Sequence, residues 1–176
     1  STCDNHFNAR KVINNCNFFI HRVDTTIKSQ GKPLMLKEYG LVKTIRAWTY
    51  MQLTLNFGSV PFYLEPITKM EESEREYPRK NIHEMAQILI DDLEPCVDYG
   101  LPIYGNIDTG WGQMDMKYVL FSIRQVLGDL YLWKGESEAD FSAAATHYAE
   151  LINEGKYLIS GKNGRINWSS SSFMNT

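Results

Sequence analysis

Apolar residues recur at alternating steps of three and four along this chain, and only a helical backbone keeps such positions on one face. Ile13, Cys16, Ile20, Val23 and Ile27 form the first stripe. Leu41, Ile45, Trp48, Gln52 and Leu55 form the second, with Ala47, Tyr50 and Met51 beside it. That width suits a helix packed between two neighbours. A third stripe runs through Ile82, Met85, Leu89 and Leu93. A fourth holds Val119, Ile123, Val126, Leu130 and Trp133, and a fifth Phe141, Ala144, Tyr148 and Leu151. Each segment runs into a glycine (Gly31, Gly58, Gly100, Gly135, Gly155), read here as a helix stop. Asn81 with Glu84 and Ser137 with Asp140 have capping-box spacing. Pro95 is expected to end the third helix near Glu94, because it lacks the N–H that a helix interior uses. Strict strand alternation is absent, and Val60-Pro61-Phe62-Tyr63 reads as loop. The expected fold class is all-α, about five helices with two long irregular connections at 58–80 and 99–114.

Composition narrows the function. The 176 residues carry a net charge of −3 and are 43% hydrophobic, the profile of a folded protein. No basic excess marks a nucleic-acid partner, and the apolar runs are far shorter than a bilayer span. Three cysteines, Cys3, Cys16 and Cys96, are too few for a disulfide framework. The four histidines are scattered, and Cys3 with His6 supplies only two donors, so no metal is expected. Neither a phosphate-binding glycine loop nor a nucleophile elbow occurs. Asp91, Asp92 and Glu94 are clustered carboxylates of the kind glycoside hydrolysis uses. Their spacing puts Asp91 and Glu94 off the apolar stripe and Asp92 on its flank, so they read as a solvated helix face. No catalytic residue and no cofactor is expected.

The more promising chemistry is aromatic. A saccharide offers flat C–H patches ringed by hydroxyls, which suit an exposed Tyr or Trp face beside hydrogen-bonding side chains. Residues 99–113 supply Tyr99, Tyr104 and Trp111 together with Asn106, Asp108 and Gln113, and these six are the candidate ligand-binding residues. Helical Trp48, Tyr50, Tyr131 and Trp133 are read as core, and Phe62 and Tyr63 as packing beneath the loop.

The last two segments resemble a tetratricopeptide helix pair. Leu127-Gly128-x-x-Tyr131 matches its first helix and Ala144-x-x-x-Tyr148 its second, where a small residue admits the partner helix. Arg124 stands where that pattern has Trp, and Lys156 where it has Pro. The second and third helices resemble a degenerate unit, with Ala47 and Tyr50 in the small and aromatic positions. A sharper resemblance lies in Arg46-Ala47-Trp48-x-Tyr50-x-x-Leu53-x-x-x-Phe57-Gly58-x-Val60-Pro61, which is similar to the hallmark stretch of the SusD/RagB family. Asn14-Asn15-Cys16-Asn17 with Ile20 resembles that family's preceding helix core. Leu93 followed by Leu101-Pro102 resembles the end of its next helix. Val126-Leu127-Gly128-Asp129-Leu130-Tyr131-Leu132-Trp133-x-Gly135 and Ala149-x-x-Ile152-x-x-Gly155-Lys156-Tyr157 follow in the family order.

The resemblance implies an all-α fold of tetratricopeptide-like antiparallel helix pairs with long irregular loops. It implies residues 1–159 as a SusD-like N-terminal helical domain, part of a longer lipoprotein, and 160–176 as an irregular tail into a further C-terminal part. It implies a non-enzymatic, surface-exposed lipoprotein of the outer membrane that binds an oligosaccharide or glycan. Its partner would be a SusC-type TonB-dependent transporter. Cys3 has no apolar segment ahead of it and is not assigned as the lipid anchor. Arg46, Ala47, Gly58 and Pro61 are expected to be structural. The alternative is a tetratricopeptide-like protein–protein scaffold that binds no saccharide.

Overall fold

The computed structural model describes residues 2–73, 75–102, 106–108, 113–115 and 122–154. Their helices are α1 (Thr2–Arg22), α2 (Leu36–Phe57), the single turn α3 (Met70–Ser73), α4 (Ile82–Leu93), α5 (Ile123–Lys134) and α6 (Glu138–Asn153). Pro95 sits in the first turn of a 3-10 helix, Glu94–Tyr99, that continues α4, so the α-helix does stop where the proline requires. Both capping boxes form: Asn81 and Ser137 accept from the N3 amides, and Glu84 and Asp140 reach back to the cap amides.

The described residues also hold three two-stranded antiparallel ladders, β1 (Lys28–Ser29) with β2 (Lys32–Pro33), β3 (Val60–Pro61) with β4 (Arg79–Lys80), and β5 (Asn106–Asp108) with β6 (Gln113–Asp115). The expectation of plain loop at Val60-Pro61 is therefore corrected. Val60 pairs with Lys80 and Pro61 with Arg79, and the Phe62 amide donates to the Pro78 carbonyl at 2.9 Å. Ladders of two or three residues are too short to leave an alternating pattern.

The first stripe is corrected as well. α1 ends at Arg22, so Val23 and Ile27 lie outside it, and Ile27 is 50% exposed. Gly31 is not a helix stop. Gln30 (φ 50°) and Gly31 (φ 78°) form the turn between β1 and β2, where a two-residue hairpin needs positive φ at both positions. Gly135, by contrast, is the left-handed C-cap of α5, as expected.

One core unites Ile13 of α1, Ala47, Tyr50, Met51 and Leu53 of α2, Met85, Leu89 and Leu93 of α4, and Val126, Leu127 and Leu130 of α5. Leu55, Trp133 and Phe141, all assigned to apolar stripes, are more than a third exposed. Helix α2 turns Leu41, Thr44, Ala47, Tyr50, Met51 and Thr54 inward instead, and α5 and α6 have no helix on their outer sides among the described residues. α5 and α6 run antiparallel. Arg124 at the start of α5 pairs with Glu150 and Glu154 at the end of α6, and Lys134 at the end of α5 pairs with Asp140 at the start of α6. A Cβ on Gly128 would stand 2.6 Å from Cε1 of Tyr148, so the tetratricopeptide-like contact of glycine and tyrosine is made as the pattern requires. No described helix is long and apolar enough to cross a membrane.

Candidate functional site

The six expected ligand residues fall in three groups. Tyr99 ends the 3-10 helix, is half-buried, and packs on the core near Gly40, where its Cδ2 would lie 3.4 Å from an added Cβ. Asn106, Asp108 and Gln113 belong to the β5–β6 ladder, whose register sets Asp108 opposite Gln113 and Asn106 opposite Asp115. Tyr104 and Trp111 lie outside the described residues. The ladder brings three of the polar candidates into one hairpin, which their sequence separation did not announce. The gap between β5 and β6 is four residues, a common hairpin loop length.

The family-like motif residues assemble a second constellation. Arg46 is 2% exposed and Asn17 fully buried. Arg46 Nη1 donates to Asn17 Oδ1 at 2.7 Å and to the Leu64 carbonyl at 3.3 Å, while Nη2 pairs with Asp92 Oδ2 at 2.7 Å. Asn17 Nδ2 donates onward to the carbonyls of Tyr63 (3.4 Å) and Glu65 (3.1 Å). Asn14 makes a two-point contact with Ile67, its Oδ1 accepting from the amide at 2.8 Å and its Nδ2 donating to the carbonyl at 3.2 Å. The Tyr50 hydroxyl donates to the Tyr63 carbonyl at 2.6 Å and accepts from the Tyr63 amide at 3.0 Å. Burial pushes the Tyr50 phenol far above its ordinary range.

These contacts hold the amides of Tyr63 and Ile67 and the carbonyls of Tyr63, Leu64, Glu65 and Ile67, in a segment with no ladder of its own, and so pin it against α1 and α2. The motif residues are therefore structural, as expected for Arg46. The roles of Asn14 and Asn17 went unread in the sequence, although buried-type spacing beside Ile13 and Cys16 was a usable signal.

The carboxylates correct a sequence expectation. Asp91 is exposed and accepts from Gln87, but Asp92 and Glu94 are not on a solvated face. Asp92 binds Arg46 and, through Oδ1, Lys43 at 2.7 Å. Glu94 Oε1 accepts the Tyr131 hydroxyl at 2.8 Å and pairs with His147 Nε2 at 3.0 Å. Each ties α4 or its 3-10 extension to another helix, and helical spacing alone does not reveal what stands across from it. Burial first, then this hydrogen bond, pushes the Tyr131 phenol up to about 12. Burial likewise raises the Cys16 thiol to about 11 and raises Cys96, so both are inert packed thiols. Among the described residues no group of three or more His, Cys, Asp and Glu could hold a metal ion.

No known family profile matches the chain, and no curated protein matches it in sequence. Two solved structures match it in fold. A SusD superfamily protein from Parabacteroides distasonis superposes with a TM-score of 0.61 at 20% identity, covering 89% of this chain and 32% of that one. Surface glycan-binding protein A from Bacteroides uniformis superposes with a TM-score of 0.54 at 22% identity, covering 88% and 31%. The chain thus has the all-α fold of part of a SusD superfamily protein, spanning about a third of the length of the solved proteins it matches.

Proposed function

We propose that this chain is part of a surface glycan-binding protein of the outer membrane, a non-enzymatic lipoprotein that hands an oligosaccharide to a SusC-type TonB-dependent transporter. The observation that carries the reading is the fold likeness, in which one matched protein is itself a surface glycan-binding protein. The motif order over residues 13–159 supports it. The ligand surface is the β5–β6 hairpin with its flanking aromatics. Trp111 and Tyr104 supply the apolar faces, Asn106, Asp108 and Gln113 the hydrogen bonds, and Tyr99 anchors the hairpin's approach to the core.

Titration calorimetry of the full chain against a panel of oligosaccharides tests this. Binding of at least one, weakened about tenfold or more by Trp111→Ala, is the expected result. No binding across the panel, with the transporter still co-purifying, would instead favour a protein-binding scaffold. That second reading draws on Leu132, Trp133, Phe141 and Ile152, which α5 and α6 leave 43% to 74% exposed.

A further inference from the structure

The β5–β6 hairpin is two-faced. Directly opposed residues of an antiparallel ladder lie on one face, and successive residues alternate between faces. Asn106 is opposed by Asp115 and Asp108 by Gln113, so these four residues share one face, while the Ile107–Met114 pair takes the other. Both strands therefore read polar-apolar-polar in register. Asp115 lies nine positions past Asn106 in the sequence, and only the pairing brings the two together.

The polar face carries two carboxylates and two carboxamides and no cation. From residue 84 to residue 116 the chain contains no lysine, arginine or histidine. A carboxylate only accepts hydrogen bonds, whereas a carboxamide both donates and accepts. A sugar hydroxyl, which also does both, can be matched by either group. A uronate carboxylate or a sulfate ester only accepts, so on this face it has Asn106 and Gln113 as its donors. Each of those stands opposite an aspartate at cross-strand spacing, about 5 Å between Cβ atoms. An anion drawn to either amide is thus brought beside a negative charge.

Resting on the glycan-binding reading above, we infer that this face selects neutral saccharides against uronate- and sulfate-bearing ones, with Asp115 as a further ligand-binding residue opposite Asn106. Asp108 and Asp115 accept from sugar hydroxyls, and a hydrogen bond to a charged acceptor is stronger than one to a neutral acceptor. Asn106 and Gln113 donate to the hydroxyl oxygens between them. The same two aspartates supply the repulsive element, because discrimination between ligands of similar shape needs a penalty on the wrong one as well as a fit to the right one.

Titration calorimetry of the full chain with gluco-, galacto- and manno-oligosaccharides tests this, each saccharide being offered both as such and after oxidation of its primary hydroxyls to carboxylates. At least one neutral form is expected to bind, and its oxidised form to bind about tenfold more weakly. Asp115→Ala is expected to weaken the neutral form about tenfold. The double variant Asp108→Asn with Asp115→Asn is expected to bring the two forms within about threefold of each other. Circular dichroism checks that every variant is folded. Tighter binding of an oxidised form, indifference to Asp115→Ala, or an unchanged gap in the double variant each overturns the inference while leaving glycan binding in place. Failure of every saccharide to bind overturns the glycan-binding reading itself and this inference with it.

Discussion

Nη2 of Arg46 lies 2.7 Å from Oδ2 of Asp92, joining α2 to α4 across 46 residues of chain, with the arginine almost wholly buried. Such a pair reports more when broken than when made, because removing one partner strands a buried charge. Asp92→Ala is expected to destabilise the fold by about 3 kcal/mol, somewhat below the fully buried case because the Asp92 side chain keeps 19% exposure. Urea denaturation measures it.

Tyr50 holds both polar backbone groups of Tyr63 through one hydroxyl. Tyr50→Phe keeps the ring packed against Phe62, whose centroid is 4.9 Å away, and removes only the oxygen. The Tyr63 amide is stranded while its carbonyl keeps the Asn17 Nδ2 donor, which predicts a loss of about 1–2 kcal/mol. Hydrogen exchange at the Tyr63 amide is expected to accelerate more than exchange in α5.

Gly128 admits Tyr148. Alanine is the better helix former by about 1 kcal/mol, yet its methyl would enter the tyrosine ring. The ring cannot swing aside freely, because its hydroxyl is bonded to Asp129. Gly128→Ala is therefore expected to destabilise by about 1–2 kcal/mol net, the overpacking outweighing the propensity. Adding Tyr148→Leu should recover part of that loss in thermal denaturation.

Asp140 should contribute to acid sensitivity. The hydrogen bond from Lys134, and with it the Glu136 amide, holds its carboxyl below the ordinary 3.8 against the opposing effect of burial. A depressed folded value means the stabilisation is complete above the unfolded value and is lost as pH falls through the folded one. Acid titration of wild type should thus show a drop in stability below about pH 4, with a shallower drop in Asp140→Asn.

The alkaline limb belongs to tyrosines. Burial, seconded by hydrogen bonds to Glu94 and Asp129, raises the phenols of Tyr131 and Tyr148, and burial raises Tyr50. A raised folded value means stability is full below the ordinary 10 and is lost as pH climbs through the folded one, about 12 for Tyr131. Absorbance at the phenolate band should therefore rise together with loss of helical circular dichroism. Tyr131→Phe should move that midpoint upward.

Local chemistry was legible without a fold. Periodicity placed α2, α4, α5 and α6, the capping residues Asn81 and Ser137 and the stop at Pro95 marked their ends, and the small-to-aromatic spacing foretold Gly128 against Tyr148. These features depend on residues within a turn or two of each other, or on one repeated pairing rule. What only the tertiary structure decided depends on what stands across a gap. Asp92 and Glu94 look solvated until Arg46, Lys43, Tyr131 and His147 arrive from elsewhere in the chain. Leu55 and Trp133 look buried until their helices prove to have no neighbour on that side among the described residues. Gly31 punctuates a hairpin instead of a helix because α1 stops nine residues earlier, and Asn106, Asp108 and Gln113 become one hairpin only through pairing. Side-chain spacing specifies a face; the free energy of burying or pairing that face is set by its partner, which a single stretch of sequence does not contain.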